Sequence, residues 1–107
     1  KNDQIGVLDG SCIDSDGFLW NAIFQGSKVI RYDSHGNVNI VVNIPEECPT
    51  CCCIGGNNLD VLYITTAKYK SKNGKGSLYA VKLHDIKGVN ENIVNINYNP
   101  INISSKL

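Results

Sequence analysis

The run Leu8-Asp9-Gly10-Ser11-Cys12-Ile13-Asp14-Ser15-Asp16-Gly17-Phe18-Leu19-Trp20 decides the fold. A carboxylate stands immediately before a short apolar strand, an Asp-rich glycine turn follows, and an aromatic-rich run opens a second strand. Outward from it the pattern stays that of strands. β-Branched and aromatic residues alternate with polar ones in Phe18 to Phe24, Lys28 to Asp33, Val38 to Ile44, Asp60 to Ala67 and Ser77 to Leu83. Turn chemistry separates these runs: Ser15-Asp16-Gly17, Gln25-Gly26-Ser27, Ser34-His35-Gly36-Asn37, Gly55-Gly56-Asn57-Asn58 and Asn73-Gly74-Lys75-Gly76. No window sustains a helical period, so the chain reads as all-β, built from consecutive antiparallel hairpins.

An internal repeat sharpens the reading. Cys12-Ile13, an Asp/Gly turn and Phe18-Leu19-Trp20 are echoed by Cys53-Ile54, a Gly/Asn turn and Val61-Leu62-Tyr63, with the two cysteines 41 positions apart. That offset is close to the period of roughly 40 to 50 residues of one four-stranded propeller blade. The expected architecture is about two four-stranded antiparallel blades, at about 8–44 and 50–98, forming part of a β-propeller over residues 1–107. Val29 to Tyr32 and Leu78 to Val81 are the third strands, Val38 to Ile44 is the outer strand of the first blade, and Ile93 to Tyr98 is a further outer strand. The residue before an inner strand lies close to the central channel of such a ring, which makes Asp9 the leading site candidate. Two blades cannot close a ring, and repeats of this kind bury their faces against neighbours, so a larger protein or self-association is expected.

Composition narrows the function classes. Ten lysine plus arginine residues balance ten aspartate plus glutamate, so there is no basic footprint for a nucleic-acid partner. No apolar run approaches the roughly 20 residues of a membrane helix, and Lys1 to Ile5 lacks the regions of a signal peptide. A soluble, cytoplasmic protein without a membrane partner is expected. Five cysteines is an odd number, and Cys51, Cys52 and Cys53 are consecutive. Neighbouring strand side chains point to opposite faces, which suits reduced thiols better than a disulfide framework. The sequon Asn102-Ile103-Ser104 reads as a chance triplet.

The chain resembles the senescence marker protein 30, gluconolactonase and luciferin-regenerating enzyme family. The matching text is Leu8 to Asp14, Gly17 to Trp20, Gly26 to Asp33 with Val29-Ile30-Arg31, the Pro49 to Gly56 segment, and Leu62-Tyr63-Ile64-Thr65. Order and spacing match from about Leu8 to Leu83, which corresponds to the C-terminal third of such a protein. The resemblance implies a six-bladed β-propeller with one divalent cation in its channel and, in characterised members, metal-dependent hydrolysis of sugar lactones. It places Asp9 at the family's metal-binding aspartate. It also implies a glutamate and an asparagine from other blades as ligands, and substrate-binding residues from earlier blades, none of which stands in this chain.

Asp9 suits that role chemically, because calcium takes hard oxygen ligands in irregular geometry and one carboxylate from each of several blades can build a site. Zinc and manganese are the alternative cations. The ion would polarise the lactone carbonyl and acidify a bound water, and an Asp9 oxygen could accept the water's proton. Asp9 is thus read as ligand, general base or both; as an Asp-Gly turn before a strand it would need no metal at all. Two functional readings follow. One is a fragment of a divalent-metal-dependent sugar lactonase, inactive by itself. The other is a non-catalytic calcium-binding or interaction propeller fragment.

Other constellations read as structural. Asp14-Ser15-Asp16-Gly17 has Phe18 and Leu19 where an EF-hand loop needs oxygen ligands, so a solvent-facing turn is expected. Cys48-Pro49-Thr50-Cys51 has redox or zinc spacing, but no second pair follows, and it reads as a loop entering a buried strand. Thr50 and Cys51 align with Asp9 and Gly10 and would form channel wall. Trp20 packs between blades, His35 and His84 are solvated, and Gly74-Lys75-Gly76-Ser77 lacks the first glycine of a phosphate loop.

Overall fold

The computed structural model describes residues 6–93. Seven strands follow in order: β1 Val7–Ile13, β2 Leu19–Phe24, β3 Lys28–Tyr32, β4 Val38–Asn43, β5 Pro49–Gly55, β6 Val61–Thr66 and β7 Leu78–Lys82. They form two antiparallel sheets, one ordered β1-β2-β3-β4 and the other β5-β6-β7. Each hairpin falls on a turn signal of the sequence. Gly17 and Gly36 take up positive φ, at 78° and 82°, where a Cβ would be strained.

The two sheets repeat in register as well as in sequence. Cys12 pairs with Trp20 in the first sheet, and Cys53 pairs with Tyr63 in the second. Both first strands carry an irregularity at the same point: the register shifts between Leu8 and Ser11 in β1 and between Pro49 and Cys51 in β5. Such bulges bend a strand and redirect its side chains, and they are enriched beside active sites.

β1 and β2 lie against β5, while β3 approaches it only slightly and β4 forms the far edge of the first sheet. The sheets therefore fan out from their first strands. Trp20, Ala22, Val29 and Ile44 of the first half meet Cys52, Ile54, Leu62, Ile64 and Leu83 of the second in one core. A fully buried aliphatic side chain of this size contributes about 1.5–3 kcal/mol, so each sheet draws much of its stability from the other's apolar face. Trp20 is fully buried in this shared core. β2 is buried on both faces from Trp20 to Ile23 rather than alternating. Asn21 and Ile23 are buried as well but stand outside the shared core.

β1 is an open edge whose Val7, Leu8 and Ile13 are each more than half exposed, as is Leu78 of β7. After β7 the chain returns to the first sheet. Gly88 bridges Asp14, Ser15 N donates to the Lys87 carbonyl at 2.8 Å and Gly88 N to the Leu59 carbonyl at 2.7 Å. A Cβ at Gly88 would stand 2.8 Å from Ile54 Cγ2, so this crossing admits only glycine.

The first sheet has the four strands expected for residues 8–44. The second has three among the described residues, and the outer strand expected at 93–98 lies, apart from Ile93, outside them. No helix among the described residues is long and apolar enough to cross a membrane.

Candidate functional site

Asp9 sits in the β1 bulge, at the end of the strand that meets β5. Its side chain is exposed, and among the described residues it enters no hydrogen bond or ion pair, which leaves both oxygens available. The backbone around it is held tightly. Asn21 Nδ2 donates to the Asp9 carbonyl at 2.7 Å and to the Gly10 carbonyl at 3.4 Å. The two peptide groups that the bulge removes from the ladder are thereby given a donor. Asn21 is only 6% exposed, and its Oδ1 is a buried acceptor with no hydrogen-bond partner among the described residues.

Gly10 is required by its neighbour. A Cβ there would lie 2.5 Å from Cys51 Sγ, 2.7 Å from Cys51 Cβ and 2.8 Å from the Thr50 carbonyl oxygen. The aligned pairs Asp9-Gly10 and Thr50-Cys51 thus face each other where the sheets converge. Thr50 Oγ1 hydrogen-bonds Thr65 Oγ1 at 2.7 Å, which ties its side chain to β6.

The donor set is hard and oxygen-based, and a single open carboxylate on a pinned backbone suits one corner of a divalent-cation site. It cannot be the whole of one. No group of three or more His, Cys, Asp or Glu side chains is gathered among the described residues, and a calcium ion takes six to eight oxygens. Asp9 fits as one ligand among several.

The turn after β1 faces solvent at Ser15, Asp16 and Gly17, as expected, and differs at Asp14. Asp14 is 1% exposed rather than solvent-facing. Its Oδ2 accepts from Trp20 Nε1 and from Arg31 Nε, each at 2.8 Å, and its Oδ1 from the backbone N–H of Asp16 at 2.9 Å and of Phe18 at 3.1 Å. Burial pushes this carboxyl up, but Arg31, Trp20 and the two backbone donors outweigh it and hold it below its ordinary value. Arg31 also reaches Asp16 Oδ2 at 2.9 Å and Asn39 Oδ1 at 2.7 Å, with its guanidinium carbon 4.3 Å from the Phe18 ring centroid. Only Asp16 of the two turn carboxylates is exposed. The group is a buried rivet across β1, β2 and β3, not a ligand cluster.

A second buried carboxylate, Glu46, lies in the connection between the sheets and carries no recognisable sequence signal. It is 2% exposed and accepts from the backbone N–H of Lys75 at 2.6 Å, Tyr79 Oη at 2.7 Å and Thr66 Oγ1 at 3.0 Å. The Ser77 and Tyr79 hydroxyls, with the Lys75 N–H and Thr66, lower its pKa to about 2. Asn73 completes the join by accepting from Glu47 N at 3.0 Å and donating to the Pro45 carbonyl at 2.8 Å. The basic loop between β6 and β7 is thereby docked onto the inter-sheet connection.

All five cysteines are free. Cys48 is buried and its Sγ points at the Tyr69 carbonyl, 3.9 Å away, whereas Cys51 is exposed. His35 and His84 are both exposed.

Residues 1–68 match the family described as SMP-30/Gluconolactonase/LRE-like region. Regucalcin of Xenopus laevis is 34% identical over 92 residues, covering 78% of this chain and 31% of that protein. The "Putative sugar lactone lactonase YvrE" of Bacillus subtilis is 44% identical over 63 residues, covering 58% of this chain and 22% of that one. Among solved structures, luciferin-regenerating enzyme superposes with a TM-score of 0.73 at 32% identity, over 82% of this chain and 32% of that one. A calcium-binding protein, regucalcin, from Agrobacterium tumefaciens superposes with a TM-score of 0.71 at 27% identity, over 78% of this chain and 30% of that one. The chain spans 22–32% of the length of these four proteins. With its family match over more than half of its residues, this chain belongs to the SMP-30/gluconolactonase/LRE-like family.

Proposed function

We propose that this chain forms the C-terminal part of a six-bladed β-propeller that hydrolyses a sugar lactone in the cytoplasm with the help of one divalent cation. The observation that carries the reading is Asp9, an open carboxylate on the bulged first strand, whose backbone is held by Asn21 and by the Gly10–Cys51 contact. The bulge lies in the Asp-Gly-Ser-Cys-Ile-Asp motif of a family with a lactonase-named relative.

A divalent cation at this position supplies Lewis-acid polarisation of the lactone carbonyl and a more acidic water. The protein's own residues do the rest. Asp9 would be one oxygen ligand of the ion and would accept a proton from the attacking water. Asn21 fixes the backbone of the bulge so that the carboxylate does not have to be ordered during the reaction. The remaining oxygen ligands and the sugar contacts come from residues outside this chain.

The test uses the longer polypeptide in which this chain occurs. Hydrolysis of a sugar lactone, followed by proton release, should vanish with a chelator and return with calcium, zinc or manganese. Metal-independent turnover would overturn the reading. A second reading, calcium binding without turnover, is favoured by the calcium-binding description of a structural relative. It predicts calcium uptake with no hydrolysis of any sugar lactone by the longer polypeptide.

A further inference from the structure

Cys12 and Cys52 lie on the first strands of the two sheets, 40 residues apart in sequence, with their sulfurs 4.0 Å from each other. Cys52 is buried and Cys12 half-buried. Cys52 Sγ also lies 3.6 Å from the Trp20 carbonyl and 4.0 Å from the Gly10 carbonyl, so it is wedged between β1 and β2. Cys51 and Cys53 are both exposed, Cys51 beside Gly10 of β1. Of the three consecutive thiols, the middle one is the one whose sulfur meets the Cys12 sulfur.

We propose that Cys12 and Cys52 are a redox-active thiol pair that a small-molecule disulfide closes into a bond between the two sheets. An S–S bond is about 2.05 Å long, so the sulfurs must approach by roughly 2 Å. The order of events follows from exposure and acidity. The hydrogen bond with Cys52 lowers the Cys12 pKa, against burial and the Asp14 charge. The Cys52 thiol is pushed up by the same contact and by its burial. The Cys12 thiolate attacks one sulfur of glutathione disulfide; that S–S bond breaks and one glutathione leaves as thiolate. Cys52 then gives its proton to a departing thiolate, its sulfur attacks Cys12 Sγ, and the second glutathione leaves. Two protein thiols are oxidised by two electrons, and one glutathione disulfide is reduced to two thiols.

The resulting bond would bolt the convergence of the sheets two residues from Gly10 on β1 and one residue from its partner Cys51 on β5. A cross-link closing a loop of this length restricts the unfolded chain, so the oxidised protein should melt several degrees higher than the reduced one.

The test is made on the longer polypeptide carrying this chain, incubated with glutathione disulfide, blocked with a maleimide and digested with trypsin without reduction. The expected product joins the tryptic peptides 2–28 and 32–68 and separates on reduction. It should persist in Cys51→Ser and Cys53→Ser and be absent from Cys52→Ser and Cys12→Ser. The wild-type map alone decides whether a link to Cys12 exists, even if a variant folds poorly. A bond confined to peptide 32–68, a Cys12 glutathione adduct that never resolves, or a link that survives Cys52→Ser would each overturn the proposal.

Discussion

Gly10 of β1 and Cys51 of β5 touch so closely that a single methyl group on Gly10 would stand 2.5 Å from the Cys51 sulfur. The contact joins two positions that the internal repeat makes equivalent partners, and it sets the distance at which the sheets converge. Gly10→Ala should lower stability by about 1–3 kcal/mol, the usual cost of overpacking a tight contact. The Thr50 carbonyl, at 2.8 Å, is backbone and cannot move aside as a side chain can. Chemical denaturation of the two proteins checks this, and an unchanged midpoint would show that the sheets are free to part.

The buried Asp14–Arg31 pair should be costly to break. Asp14→Ala leaves Arg31 Nε and Trp20 Nε1 without their buried acceptor, a loss of about 3 kcal/mol, the low end for a broken buried pair because the exposed Asp16 still faces the guanidinium. Arg31→Lys should not rescue the site, because one ammonium cannot serve Asp14, Asp16 and Asn39 in the way the planar guanidinium does. Thermal unfolding of both variants measures it.

This pair also marks where sequence reasoning stops. The hairpins, their turns and the repeat were legible because strand alternation and glycine turn chemistry are local. Asp9 stood out through its motif, and the structure shows it exposed on the β1 bulge. Asp14 was misread for the same reason: Asp-Ser-Asp-Gly has the local signature of a solvated turn, while its burial depends on Arg31, two strands away. Glu46 beside Glu47 looks like an ordinary acidic loop until the Lys75 N–H and the Tyr79 hydroxyl arrive from a hairpin about thirty residues later. The Cys12–Cys52 approach depends on how one sheet packs on another, which no pattern within a strand encodes.

Acid should loosen the join between the sheets. Glu46 is held at about 2 in the folded chain against an ordinary 4.5. Because the folded value is depressed, the unfolded chain takes up the proton first. The stabilisation is therefore complete above pH 4.5 and is lost as pH falls from there toward about 2. Glu46→Gln should reduce the slope of that limb of a stability-against-pH curve, leaving the share that Asp14, Asp33 and Asp60, also lowered, contribute. A variant curve parallel to wild type would contradict this.

Asn21 acts on the candidate site through Asp9. Asn21→Ala removes the donor to the Asp9 and Gly10 carbonyls, and in the longer polypeptide it should weaken cation affinity by roughly 10-fold, the lower range for residues that orient a ligand. Calorimetric titration with calcium reads this apart from folding. An unchanged dissociation constant would leave Asn21 a purely structural residue.

The most direct test replaces Asp9 itself. Asp9→Asn in the longer polypeptide keeps the shape of the side chain and removes its charge and its basicity. The account predicts an unchanged melting temperature without metal, weaker calcium binding, and lactone hydrolysis reduced by roughly 100-fold or more. Undiminished turnover with undiminished calcium affinity would contradict it.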